Sequence, residues 1–580
     1  MKRCPECRRD YADDTLLYCL EDGTALVQGS VPSPDEPPTA ILSEPPASAG
    51  SQSDEAKTRT FIHTTQAAAE PQDSLGDLTE KRSFSAHRAA KPLLIVAVLA
   101  VLILGGFFAY RYFSSSTKQI ESIAVMPFVN ESGNPDVEYL SDGMTETLIS
   151  SLTQLPNLNV KARSSVFRYK GKATDTKTLG SELSVQAILN GRVAQRGDQL
   201  TLSLELVDVA TENAIWSQQY TRRQSDLVSL QSEVARDVSG KLKAKLSGAE
   251  VTKVEKTYTV DPEAYQLYLK GRFQWNRRTG ESLKEAVDFF DQAIAKDPNY
   301  ALAYSGLAES YVLFANYSVT SPLDSMPKAK AAALKAIQLD DSLAEAHVAL
   351  GIYLSAFSWN QPAAEMEFRR AIELNPTYAT AHQQFANYCL LSMGRFDEAL
   401  EVARRGQELD PFSPVISTDV AWPLYFARRY DEAIAQLEGS LKLDPNFAVT
   451  LRYRGNILET LGRTKEALAE YQKAVGLDPD PYLRAMLARA LAKSGQRAEA
   501  LKIVDGIVTE SAARYVPANA VALAFAALGE KDKAFFWLEK DVADRASRSP
   551  QYSVNPMWDD LRDDPRFAAL VKKIEQSKLD

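Results

Sequence analysis

The sequence predicts a multidomain chain: a single transmembrane helix, a small α/β domain with a mixed sheet, then an all-α superhelix of repeated helix pairs. Three observations carry this. Residues 92–110 hold no charged side chain. Between residues 120 and 246 the apolar spacing switches repeatedly between strand and helix periods. Beyond Pro262, small residues and Asp-Pro or Asn-Pro steps recur in phase.

The uncharged run starts at Pro92 and ends at Tyr110. At about 1.5 Å per residue it approaches the ~30 Å hydrocarbon core of a bilayer. The proline-rich stretch before it cannot build a core around such a helix. About ninety residues precede it, too many for a cleaved leader. Tyr110 and Tyr112 suit the membrane interface. Lys81, Arg82, Arg88 and Lys91 precede the run, while only Arg111 and Lys118 follow it closely. The basic excess places the N-terminus in the cytoplasm and the C-terminal domains outside an inner membrane.

Three of the four cysteines, Cys4, Cys7 and Cys19, fall within the first twenty residues. Cys-x-x-Cys sets two thiolates on one turn, where both can face a tetrahedral zinc. Asp22 stands where a fourth ligand would, although Asp-Gly is also a hairpin turn signal. Residues 1–27 are therefore expected to form a zinc-binding knuckle, and the segment resembles the short zinc ribbons that precede membrane spans in some bacterial proteins. Residues 28–90, rich in Pro, Ser and acidic side chains, lack the apolar area that offsets chain entropy and are expected to be a disordered linker.

After the span, Ser122–Phe128 reads as a buried strand closed by Pro127. A helix from Leu140 to Leu155 follows, with Ser141 or Asp142 as its cap and Met144, Leu148 and Leu152 on one face. Residues 158–162 read as a strand and 176–183 as a helix. Three strand-like runs then cover 187–193, 200–209 and 214–220, the first two joined at Arg196-Gly-Asp198. A helix from Leu227 to Leu246 closes the unit. The order β-α-β-α-β-β-β-α indicates a mixed sheet with helices packed on it. Ser122-Ile-Ala-Val-Met-Pro-Phe128, Tyr139-Leu-Ser-Asp-Gly-Met-Thr-Glu146 and Leu189-Asn-Gly-Arg-Val193 resemble the TolB-type N-terminal domain found beside repeat arrays in bacterial signalling proteins. That resemblance covers residues 120–246 and implies interaction or assembly work, not catalysis.

Pro376, Pro411, Pro445 and Pro479 each follow Asp or Asn and are spaced by 35, 34 and 34 residues. A period of about 34 is the tetratricopeptide signature. Pro298 lies 78 residues before Pro376, room for two units with an insertion, divided at Asp340-Asp341. Twelve residues before each marker stand Ala286, Ala329, Ala364, Ala399, Ala433 and Ala467, with a second small residue seven later. Small residues at these places let helices approach closely. About eight units are expected over residues 262–542, followed by a capping helix over 555–578.

In such an array the first helix of each pair lines a concave groove. The period projects Gln383, Asn387, Trp422, Tyr425, Arg452 and Asn456 into it. Arg452 and Asn456, one turn apart, could together hold a carboxylate, a faint likeness to the carboxylate clamp of chaperone-binding repeats. His347 and His382 occupy matching places and are expected to be packing residues, as is Cys389. The partner expected in the groove is a protein or peptide. A net charge of −10 argues against bulk attraction to nucleic acid. No phosphate loop, zincin, nucleophile-elbow or kinase motif occurs. The chain thus reads as a membrane-anchored scaffold or adaptor, or alternatively as a non-catalytic subunit of a bacterial sensory or regulatory pathway; an enzyme is the weaker reading, and zinc the one cofactor expected.

Overall fold

The computed structural model describes residues 2–3, 10–11, 27–28, 120–155, 158–242, 247–546 and 548–577. The chain divides into two units, residues 1–115 and 116–580. In the first, Lys2–Arg3 pairs antiparallel with Asp10–Tyr11 on one side and Val27–Gln28 on the other. Cys4, Cys7, Cys19 and Asp22, the 28–90 linker beyond Gln28 and the 92–110 run lie outside the described residues. Among the described residues no helix is long and apolar enough to cross a membrane.

The second unit opens with the mixed sheet. Its strands run, side by side, Asn159–Val160, Ser122–Val125, Ala187–Arg196, Gln199–Asp208 and Ala214–Arg223. Ser122–Val125 is parallel to both neighbours, as a strand buried on both faces should be. The other two pairings are antiparallel. Pro127 ends the first strand as expected, but the chain pairs again at Val129–Asn130, alongside Ala187–Arg196. Phe128 between them packs so closely on Gly191 that a Cβ there would lie 2.2 Å from the ring.

The helix expected from Leu140 spans Glu138–Thr153 and is preceded by a 3-10 turn, Pro135–Val137. The cap is therefore not Ser141 or Asp142. Asn134 caps the 3-10 turn instead, accepting from the Asp136 amide. Ser141 and Asp142 lie inside the helix, buried, with Asp142 held by Lys170 at 2.5 Å. Pro135 forces this earlier start, because its fixed φ suits a first helical position. Met144, Leu148 and Leu152 face the core as predicted.

Eight helix pairs follow. The first four are Pro262–Arg277 with Gly280–Lys296, Ala301–Asn316 with Pro322–Leu339, Ala344–Ile352 with Gln361–Leu374, and Ala379–Gln384 with Phe396–Leu409. The fifth has a broken first helix, Pro414–Asp419 then Ala421–Phe426, before Tyr430–Leu443. The last three are Ala448–Thr460 with Thr464–Leu477, Pro481–Lys493 with Arg497–Glu510, and Ala518–Ala527 with Lys531–Ala543. The first helices of pairs three and four end in π-helical turns, Tyr353–Ser358 and Phe385–Leu390. The six in-phase alanines from Ala286 to Ala467 are all fully buried.

The array curls back on itself. Ser318, between the helices of pair two, donates to Asp480 at the start of pair seven at 3.1 Å. Nor is the C-terminal segment a simple cap. Pro565–Gln576 packs on the last pair, but residues 548–561 run back across the array. Arg545 donates to the Phe357 carbonyl at 2.8 Å, Gln551 to the Asn387 carbonyl at 2.7 Å, and Arg428 meets Asp559 at 2.6 Å. Two arginines and a glutamine thus link this segment to distant repeats through backbone or acidic partners, which an amphipathic capping pattern does not foretell.

Candidate functional site: the interior of the superhelix

The curled array encloses a cavity of about 2470 Å³. Its walls come from every repeat pair, from the α/β domain through Glu146 and Arg163, and from the C-terminal segment through Arg548 and Gln551. The concave face is thus partly walled by the chain itself.

At the end near the α/β domain, Glu146 sits between two guanidinium groups, 2.7 Å from Arg272 and 3.1 Å from Arg163. Asn276 also donates to it at 2.7 Å, and Arg272 reaches Glu309 at 2.8 Å. Burial would raise the Glu146 carboxyl, but Arg272 and Arg163 outweigh it and hold the group below the usual range. Burial wins at Glu309 and at Glu345, whose carboxyls are pushed up. This cluster ties the α/β domain to the first two pairs and accounts for its own charges.

The other end is built by pairs four to seven and the C-terminal segment. Asp419 closes the first half of the broken helix in pair five. It accepts from Gln383 at 2.6 Å and from the Tyr453 hydroxyl at 3.3 Å. Burial pushes its carboxyl up against those bonds. Trp422 follows one turn later, because Pro423 lacks an amide hydrogen and the helix restarts there. Its ring stacks on Tyr453 at 4.2 Å. Arg452 lies over the rings of Tyr453 and Tyr482, and Arg548 over Tyr388.

Of the six residues projected into the groove, Gln383, Asn387, Trp422 and Arg452 line the cavity. Tyr425 and Asn456 do not. Tyr425 is fully buried and bonds to Thr460 at 3.2 Å. Asn456 accepts from Tyr471 at 2.7 Å within the seam of pair six. The paired Arg452–Asn456 carboxylate site is therefore not formed, since the seam, not the groove, takes the asparagine. His347 and His382 are buried and bond to Glu367 and to the Pro376 carbonyl. Cys389 is buried in the core. Among the described residues no group of three or more His, Cys, Asp or Glu could hold a metal. Asp419, Tyr453, Tyr482, Arg548 and Gln551 were not foreseen. Asp419 stands one turn from Trp422 on the same projected face and was findable; the two C-terminal residues lie outside the repeat period.

Residues 421–481 match a tetratricopeptide repeat model, and the chain carries tetratricopeptide repeats. Residues 118–237 match the second domain of HilA/YgeH-like transcriptional regulators, a family other than the TolB-type one. The chain is 33% identical over 247 residues to a protein named putative adenylate cyclase 3 from Rhizobium meliloti, covering 42% of each. It is 28% identical over 172 residues to the transcriptional regulator HilA of Salmonella typhimurium, covering 30% of this chain and 31% of that protein. The chain thus spans less than half the length of either relative. Among solved structures, YrrB, described as a tetratricopeptide repeat protein with an unusual peptide-binding site, is 22% identical over 33% of this chain and 94% of that one, with a TM-score of 0.24. PilF of Pseudomonas aeruginosa is 18% identical over 36% and 90%, with a TM-score of 0.29.

Proposed function

We propose that the protein is a membrane-anchored, non-catalytic scaffold that takes a segment of a partner protein into the interior of its repeat superhelix. The carrying observation is the cavity of about 2470 Å³ to which all eight pairs contribute. Tetratricopeptide arrays present such faces to extended or helical segments. Gln383, Asn387, Trp422 and Arg452 are the contact residues on this reading. A photo-crosslinking residue at position 452 of the full-length protein in cells tests it. A discrete polypeptide adduct is expected there and not from position 366 on the outer surface. Adducts from position 366 alone would move the contact outside.

A second reading, a non-catalytic subunit of a sensory or regulatory pathway, is favoured by the match of residues 118–237 to a regulator domain. The TolB-type resemblance fits either role. The cyclase-named relative shares 42% of its length with this chain, and no cyclase activity is proposed. Loss of the protein should change transcript levels of a defined gene set if it is regulatory, and leave them unaltered if it only assembles partners.

The anchor is assigned to residues 92–110 with the N-terminus inside. A reporter active only outside the cytoplasm, fused after Asp580, should be active; a silent one reverses the orientation. Zinc is assigned to Cys4, Cys7 and Cys19, with Asp22 as the fourth ligand. The Cys4-Pro-Glu-Cys7 spacing and the nearby Cys19 support it. About one zinc per chain is expected, lost when both cysteines become serine.

A further inference from the structure

The mixed sheet ends in an edge with no neighbour among the described residues. Ala214–Arg223 is its last strand and pairs on one side only, with Gln199–Asp208. The opposite edge, Asn159–Val160, is two residues long and lies in the cavity wall. The open edge is ten residues long, and a register shift at Leu206 and Val207 leaves Trp216–Arg223 as its regular part. Ser217, Gln218, Gln219, Thr221 and Arg223 are exposed. An edge strand turns a row of amides and carbonyls outward, without partners. The carbonyls of Gln219 and Thr221 draw donors from the side chains of Gln218 and Arg222, at 3.4 and 3.0 Å, a substitute that a neighbouring strand would displace.

Sheets usually guard such an edge with proline, lysine, a bulge or a very short strand. Here the one irregularity is the register shift at the start of the strand. Ala214–Thr221 has no proline and no charged side chain. The strand is also firmly backed. Tyr220 donates to Asp237 at 2.9 Å and Arg222 to Glu233 at 2.8 Å, both on the helix Leu227–Leu242. A long, uncharged and supported edge is the surface that strand addition uses.

The residues of the edge say which strand fits. Rotated about a two-fold axis through Gln218, perpendicular to the sheet, the strand meets its own copy antiparallel. Trp216 then lies opposite Tyr220, Ser217 opposite Gln219, and Gln218 opposite itself. Aromatic meets aromatic and amide meets hydroxyl or amide, the kinds of pair that stabilise neighbouring strands. Charge agrees at the ends. Glu212 leads into the strand and Arg223 closes it, both exposed. Arg222 is taken by Glu233, whereas Glu212 and Arg223 have no ion-pair partner among the described residues. Antiparallel pairing brings Glu212 of each copy towards Arg223 of the other.

We propose that Ala214–Arg223 pairs with the same strand of a second copy, so that two mixed sheets become one across an axis at Gln218. The inference does not depend on what the interior of the repeats holds.

Sedimentation of the purified full-length protein should show a dimer that dissociates on dilution. Gln218→Lys sets like charges face to face and should weaken it at least about tenfold. Glu212→Arg and Arg223→Glu should each weaken it to a similar degree, and the two together should recover most of the loss. All three positions are exposed, so the unfolding temperature should hold. Gln218→Cys places its Cβ about 5 Å from that of its own copy and should give a disulfide-linked dimer under mild oxidation. Arg192→Cys, exposed on the sheet but away from this edge, should not. The proposal is overturned if the wild type is a monomer at about 0.1 mM, or if a dimer forms that Gln218→Lys leaves intact. It is equally overturned if Gln218→Cys crosslinks no better than Arg192→Cys. A photo-crosslinking residue at position 218 in cells should give an adduct of twice the mass of the chain. An adduct of another mass would mean that a strand of a different protein takes the edge, and would overturn the assignment to a second copy.

Discussion

Asp410, at the end of pair four, accepts a hydrogen bond from Ser165 of the α/β domain at 2.9 Å and a second from Ser164. The two regions are thereby joined far from their junction in the chain. Burial pushes the Asp410 carboxyl up despite both donors. Asp410→Ala removes the acceptor and strands two hydroxyls, and should cost about 1–3 kcal/mol. Urea unfolding of the two proteins measures it; an unchanged midpoint would mean water replaces the carboxylate without loss.

Glu146→Ala should be more severe. It leaves Arg272 and Arg163 without the carboxylate they share, and removing one member of a buried ion cluster costs about 3–5 kcal/mol. The α/β domain and the first repeats should then lose protection together in hydrogen exchange. Loss confined to residues 120–242 would show that the contact does not couple them.

Asp541 gives a pH dependence with a definite sign. It accepts from Ser549 and from the Asn519 amide at 2.9 Å each, and from Tyr552. Burial nonetheless lifts its carboxyl from 3.8 to about 6. The folded state therefore holds this proton more tightly than the unfolded one. Its contribution is fully present below the unfolded value and is lost as pH rises through about 6. The shift corresponds to an order of about 3 kcal/mol. Unfolding free energies compared between pH 4 and 7 should show this falling component in the wild type and not in Asp541→Asn. An identical profile in both removes Asp541 as its source.

Trp422→Ala acts on packing. The indole is 6% exposed and stacks on Tyr425 as well as Tyr453. Truncation should cost about 3–5 kcal/mol, the usual range for emptying a buried aromatic site. Thermal unfolding reads it directly, and a stable Trp422→Ala would mean the pair collapses onto the gap.

Gly191→Ala should destabilise by about 1–3 kcal/mol, because the new methyl overlaps the buried Phe128 ring. The double change with Phe128→Leu should recover part of that loss. No recovery would point to the backbone of the sheet instead.

Much of this architecture could be read from spacing alone. Ala286 to Ala467 mark the repeat seams because only small residues let helices close there, and that demand recurs with the period. The Ser122–Val125 strand declares itself by a run of apolar residues that a doubly covered strand needs. The site was half legible. Gln383, Asn387, Trp422 and Arg452 lie on the projected face. Tyr425 and Asn456 share its spacing but turn into the seam, where Thr460 and Tyr471 supply partners that helical phase does not encode. Arg548 and Gln551 reach the cavity only because the chain doubles back, and no local pattern announces a return across the array.

The bond between Ser318 and Asp480 has a consequence for how the molecule comes apart. An open solenoid is nearly one-dimensional: each unit leans on its neighbours, and unfolding can begin at either end. Here a residue in the second pair grips one in the seventh, 162 positions away. The terminal units cannot fray independently while that clasp and the returning C-terminal segment hold. Unfolding should accordingly approach a single concerted event, and refolding should be slow for a helical chain, since its last contacts join distant parts of the sequence.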